Sequence, residues 1–396
     1  MSDSPSTEER RFDAVDWSSL DPTTTDGGSR RTVVAVLLPL VVAAAFAVDY
    51  LTADGPPASG PTALDWLLIG AAAVLVSVGL ALVGDTQRVR EQWSSFRRHR
   101  LAVAGLVYLV AFFAVGLVGP LYFTDPELNV LVNAQPPVWG SIDVRKVPQC
   151  AGVVVDGRCR GTLEFLLGTT ARTGKDLVPL VVFGIRSTVT VVLGAAALIV
   201  PTGIVVGVVA ATVGGRVEST LMWVSEVLQT FPAILVYFTL FWVVVDGRLV
   251  LLTVVLGLVS WGGVARLVRN EIRERSDELF VHAATVGGLD RWQTVRRHLL
   301  PNVGSSLVTT VTLQVPLFVI LEASVSFVRI PVTGGTPTTL GDPSVVSLGQ
   351  LVYQGFFSTG FPVAWWVGGV PAVLLVCTVL SFNLVGDALA DVLDPQ

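Results

Sequence analysis

The chain has 396 residues, a net charge of −5, and 14% charged against 52% hydrophobic residues. A soluble domain carries about a quarter charged residues, so this composition excludes a water-soluble globule of this size. The acidic balance, with Lys146 and Lys175 the only lysines, gives no basic face for nucleic acid, and three His and three Cys without a CxxC or Cys/His cluster offer no metal or cofactor site.

A bilayer core is about 30 Å thick and needs roughly 20 apolar residues per helix. Residues 1–32, with seven acidic residues and a Thr-Thr-Thr-Asp-Gly-Gly run, read as a disordered polar tail. Two candidate spans follow, Val33–Tyr50 and Ala63–Gly84. The first is preceded by Arg30-Arg31 and ends near Ala45-Phe46-Ala47, a pattern shared with cleaved signal peptides. Its long acidic leader favours an anchored helix instead.

The remaining candidates are Leu101–Tyr122, Thr188–Ala211, Thr220–Val245, Leu249–Val268, Ser305–Val328 and Ala364–Leu384. The expected fold is therefore an all-α polytopic membrane bundle of about eight spans. Pro201, Pro232, Pro316 and Pro371 lie inside spans and should kink them. Arginine sets the orientation: five lie in 84–100, seven in 266–301 and four in the N-terminal tail, whereas the alternate short connections carry almost none. Both termini are thus expected in the cytoplasm, residues 123–186 outside the cell, and residues 269–304 in the cytoplasm.

In the outer segment, Cys150 and Cys159 lie close in sequence on an oxidising side, which favours a disulfide. Gly168 to Lys175 superficially suggests a phosphate loop. The spacing to Gly174 is too long by one residue, and Asp176 replaces the Ser/Thr that would hold Mg²⁺, so ATP binding by this chain is not expected. Glu226 and Glu322 stand at or near the ends of spans. An ionisable group there is a candidate for the pathway or for an interhelix polar contact, because burying its charge is costly.

The inner loop reads as two short helices. Leu279, Phe280, Ala283 and Ala284 recur at helical spacing, Gly287-Gly288 interrupts, and Asp290 with Gln293 suggests a new cap. Trp292, Val295 and Leu299 face one way, and Pro301-Asn302 stops the second helix.

The run His282-Ala283-Ala284-Thr285-Val286-Gly287-Gly288, with Arg297-His298-Leu299-Leu300-Pro301-Asn302, resembles the signature loop of binding-protein-dependent ABC importer permeases. Ala283, Ala284, Gly288, Leu300 and Pro301 keep its register, while His282 stands where that family usually has Glu. The chain is most similar to the second permease of the dipeptide, oligopeptide and nickel subgroup. Arg97–Ala102, Leu167-Gly168-Thr169-Thr170, Gly174-Lys175-Asp176-Leu177, Glu226 with Phe231-Pro232, Glu322–Phe327 and Ser381–Asp387 match in order, from about Trp93 to Pro395.

The resemblance implies a six-span core over 101–122 and 187–387, preceded by two extra helices at 33–84. It implies a non-enzymatic permease subunit, with a sister permease, two ATP-binding ABC subunits that bind the cytoplasmic loop of each permease (269–304 in this chain), and an extracellular solute-binding protein as partners. The rival class, an ion-coupled secondary transporter, would show internal repeats and polar midplane residues; the sequence shows no repeat and few such residues.

Overall fold

The computed structural model describes residues 37–49, 63–82, 92–243, 248–276, 278, 295, 299–330, 338–339, 346–357 and 364–393. Its main helices are α1 (Leu37–Asp49), α2 (Ala63–Leu82), α3 (Arg100–Val118), α4 (Leu177–Val213), α5 (Gly215–Thr230), α6 (Ala233–Phe241), α7 (Arg248–Ser276), α8 (Leu300–Phe327), α9 (Leu348–Phe357) and α10 (Trp366–Leu393). Five of them are long and apolar enough to cross a membrane, and six spans result if α5 and α6 count as one. The expected eight are therefore not all present as full-length helices among the described residues. The described parts of the first two candidates are shorter apolar helices, Leu37–Asp49 and Asp65–Leu80. Hydropathy counts apolar residues and does not fix where a helix ends.

The central pair is α4 and α7, each with about three-fifths of its most apolar stretch buried inside the chain. Glycines let them touch. A Cβ at Gly194, Gly203 or Gly207 would lie 2.5, 2.4 and 2.6 Å from Thr253, Val264 and Ala265. In a bilayer such small residues replace the hydrophobic driving force with close van der Waals contact. The ascending order of these pairs makes α4 and α7 parallel, so their C-termini lie at the same end of the bundle.

Around this pair, α3 packs on α10 through the Tyr108 hydroxyl, which donates to Leu374 O at 2.9 Å, and through Gly105 against Ser381. The outward faces of α8 and α10 stay apolar and exposed at helical spacing, as at Leu313, Leu317 and Ile320 and at Val373, Val376 and Leu380. A membrane protein presents such faces to lipid or to other membrane helices.

Proline acts differently by position. Pro232 separates α5 from α6 with a 71° bend, because Phe231 before it is held extended and proline has no N–H to continue the ladder. Helices α4, α8 and α10 instead continue through Pro201, Pro316 and Pro371. Neighbouring helices can satisfy the freed carbonyls there.

Helix α4 begins at Leu177, not at the expected Thr188, so its first turns belong to the bundle rather than to the polar excursion. The Asp176 side chain caps it by accepting from Val178 N at 3.0 Å. The charge of Arg186 in these turns is paired with Asp65 of α2.

Residues 123–176 form a small unit at one end of the bundle. Strands β1 (Ser141–Asp143), β2 (Val154–Val155) and β3 (Arg158–Arg160) pair antiparallel in the order β1-β3-β2. Asp156-Gly157, both at positive φ, make the two-residue turn of the β2–β3 hairpin. Cys150 and Cys159 are joined by a disulfide with Cα atoms 5.7 Å apart. A second short pair, β4 (Arg329–Ile330) with β5 (Thr338–Thr339), follows α8.

Candidate functional site

The expected coupling residues His282, Ala283, Ala284 and Gly288 lie outside the described residues. Leu300 and Pro301 open α8, with proline in its first turn, where its missing N–H costs nothing. What the structure does describe is the base of that loop, where α7 leaves the bundle and α8 returns to it.

Glu218 of α5 is 7% exposed and is the centre of this base. It accepts from Arg269 Nε at 2.7 Å and pairs with the guanidinium groups of both Arg269 and Arg273, one turn apart on α7. Arg269 also donates to Asn270 Oδ1 at 2.7 Å, and Arg266, one turn earlier, bonds Gln229 of α5. On the other side of α7, Glu271 accepts from Ser306 of α8 at 2.6 Å and from Arg275 at 3.1 Å.

Two carboxylates thus fasten the last turns of α7 to α5 and to the first turns of α8. A buried carboxylate that is paired and hydrogen-bonded fixes geometry, because removing one partner leaves a buried charge unpaired. Beneath these bonds, Ile272, Val295, Leu299, Val303 and Leu307 are buried in one apolar cluster with α4 and α7. Val295 and Leu299 are among the residues that the sequence placed on one face of the loop's second helix.

Sequence reasoning missed Glu218 and used the arginines only to orient the chain. The signal was present, since Arg266, Arg269 and Arg273 recur at one-turn spacing on a single helix. Its partner is 51 positions away and could not be read from that pattern.

The other two acidic candidates separate. Glu226 is exposed on α5 and has no partner among the described residues. Glu322 is wholly buried in α8 and accepts three hydroxyls: Ser347 at 2.5 Å, Thr188 at 3.0 Å and its own helix's Ser326 at 3.5 Å. It joins α8, α4 and the start of α9 at the end of the bundle that carries the disulfide unit.

The Leu167–Leu177 stretch has a structural task at that same end. Gly168 and Gly174 both take positive φ, and a Cβ at Gly174 would meet Asn129 O at 1.8 Å. Trp366 at the start of α10 donates its indole N–H to Thr169 O at 3.2 Å, which ties the turn to the bundle. The Gln135 amide is buried against Gln149 O and Ala151 N at 2.6 and 3.1 Å, and so holds the disulfide-bearing loop.

With this geometry in place, comparison with known proteins is informative. The family described as binding-protein-dependent transport system inner membrane component matches residues 203–396, and the N-terminal TM domain of oligopeptide transport permease C matches residues 87–137. The chain is 34% identical over 228 residues to the oligopeptide transport system permease protein OppC of Escherichia coli, covering 57% of this chain and 71% of that one. It is 30% identical over 312 residues to OppC of Mycobacterium bovis, covering 76% and 92%. It is 26% identical over 322 residues to the dipeptide transport system permease protein DppC of Lactococcus lactis, covering 78% and 90%.

Proposed function

Because the chain belongs to the family of inner-membrane components of binding-protein-dependent transport systems, we propose that it forms half of the pathway of an ATP-driven peptide importer. The other half is a sister permease, and two ATP-binding ABC subunits bind the cytoplasmic loops of the two permeases, in this chain the 269–304 loop. An extracellular solute-binding protein delivers the cargo to the end that carries the disulfide unit. The names of the relatives support short peptides as that cargo. Both termini and the loop lie in the cytoplasm, as the arginine distribution requires.

The observation that carries this reading is the braced base of the loop. A docking element transmits force only if it is tied to the spans that must move. Glu218 with Arg269 and Arg273, and Glu271 with Ser306, tie the departing helix α7 to α5 and the returning helix α8. When the ATPases close on ATP, a push on the loop is delivered to three helices together. His282 takes the place of the family's usual Glu at the docking surface, so this chain's contact there is made without that carboxylate.

The test is Gly288→Leu. If the turn between the two expected loop helices needs a positive φ at Gly288, a side chain there costs roughly 1 kcal/mol or more and tilts the docking helix, whereas the spans do not need that residue. The variant should insert and accumulate like the parent yet lose copurification with the ATPases or substrate-stimulated ATP hydrolysis. Parental coupling in Gly288→Leu would overturn the reading.

A further inference from the structure

Helix α8 runs from the loop to the opposite end of the bundle, and it is gripped at both ends. At its start, Val303 and Leu307 are buried in the core, and Ser306 bonds Glu271. Near its finish, Glu322 holds α9. Ser347, the residue just before α9, donates its hydroxyl to Glu322 Oε1 at 2.5 Å, and the Ser347 Oγ itself accepts from Gly349 N at 3.2 Å. One side chain therefore caps α9 and fastens that cap to the carboxylate.

The packing around this bond is close. A Cβ at Gly349 would lie 2.0 Å from Ala323 O of α8. Farther along, Phe327 of α8 meets the rings of Tyr353 and Phe357 at 5.6 and 5.4 Å. Helix α9, at ten residues, is too short to span. It lies between the end of α8 and the start of α10, on the disulfide side of the bundle.

Among the described residues no Arg or Lys contacts Glu322, so hydroxyls alone satisfy it. A site that needed only packing would be as well served by an apolar side chain. The approach to α9 is also bonded to α4 by Ser187 Oγ, which donates to Val346 O at 2.5 Å and has Phe183 O as a second acceptor at 3.1 Å. The Glu322 bond to α4 can be exchanged likewise, since Thr188 Oγ1 has a second acceptor, Gly184 O, at 3.3 Å. Helices α8 and α9 can thus leave α4 together without orphaning either hydroxyl.

We propose that Glu322 is the positioning residue through which α8 carries α9, so that a push on the loop at Leu300 moves α9 at the disulfide-bearing end of the bundle. This rests on the importer reading above. The element biased between two arrangements is the α8–α9 unit against α4, and the exchangeable Thr188 bond is its local marker.

The test places a reporter cysteine at half-buried Gln350 of α9, in a Cys377→Ser background whose remaining cysteines are bridged. The permease is assembled with its sister subunit and ATPases in nanodiscs, and maleimide reaction at position 350 is timed without nucleotide and after ADP–vanadate trapping. The parent should show a change in rate of about tenfold between the two states, and Glu322→Gln and Ser347→Ala less than about twofold. Assembly and basal ATP hydrolysis should stay near parental in both variants.

If Glu322→Gln fails to accumulate, Ser347→Ala, which removes a single hydroxyl, decides alone. An unchanged rate in the parent, or a parental response in the variants, overturns the inference. So does a parental response in Thr188→Val/Glu322→Met/Ser347→Ala, which keeps bulk and removes the hydrogen bonds that join α8 to α4 and to α9 through position 322. A parent that never associates with ATPases would instead overturn the importer reading, and that outcome is seen before any labelling.

Discussion

Arg186 of α4 forms an ion pair with Asp65 of α2, in a chain whose family match begins only at residue 87. The helix that precedes the matched residues is therefore fastened to the central helix of the bundle. Leu68, Ala71, Ala73 and Ser77 of α2 are buried as well. On α1, Asp49 accepts the Trp66 indole N–H of α2 at 2.7 Å, and Phe46 meets the Trp66 ring edge-on at 5.8 Å.

This pairing predicts a coupled loss. Asp65→Asn and Arg186→Leu should each lower the melting temperature in detergent, and Asp65→Asn/Arg186→Leu should cost less than the sum of the two. A coupling of about 1–2 kcal/mol is expected for partly buried contacting residues. Strict additivity in the cycle would show that the pair does not hold α2 in place.

At the loop base, Glu218→Gln should leave Arg269 and Arg273 facing a neutral amide in a buried site. The expected cost is about 1–3 kcal/mol in stability. ATP hydrolysis by the assembled complex should lose its response to substrate while the ATPases remain bound. Glu226→Gln, on the same helix but exposed and with no partner among the described residues, is the control and should leave melting temperature and hydrolysis unchanged.

The Cys150–Cys159 disulfide closes a loop with a sequence separation of nine. Loop-closure entropy for that size corresponds to about 2.5 kcal/mol. Cys159→Ser should leave the spans intact and expose 144–160 to protease, read by mass mapping of the first cleavage sites. An unchanged cleavage pattern would mean that Gln135 and the small sheet hold the unit without the bridge.

Asp176 caps α4 from a half-buried position, and burial pushes its carboxyl above the usual carboxylate range despite bonds from the amides of Val178 and Leu177. A folded-state value above the unfolded one means that the folded protein takes up the proton first. The cost of the charge is present in full above the raised value and is relieved as pH falls through it towards about 3.9. Asp176→Asn caps about as well and carries no charge, so it should lack this relief in melting curves taken from neutral to acid pH. Asp176→Ala should be about 1 kcal/mol less stable than Asp176→Asn at every pH, since both lack the charge and only the amide caps.

Several features follow from sequence because they depend on local composition. Long apolar runs identify membrane helices, Pro232 predicts a break in the fifth candidate span, and the order of short motifs points to the family. The motif residues also prove to have packing tasks: Ser381 lies against Gly105, and Phe382 meets Phe113 edge-on with ring centroids 6.2 Å apart. Other features are decided only when helix faces meet. Arg186 and Asp65 are 121 positions apart, and no local pattern announces their ion pair. Thr188 lies 134 positions from Glu322, and no spacing rule connects them. The number of full-length spans and the brace of Glu218 on two arginines belong to the same class. Hydropathy and helical period are properties of neighbouring residues, whereas the pairing of buried charges is set by which helices the bundle brings side by side.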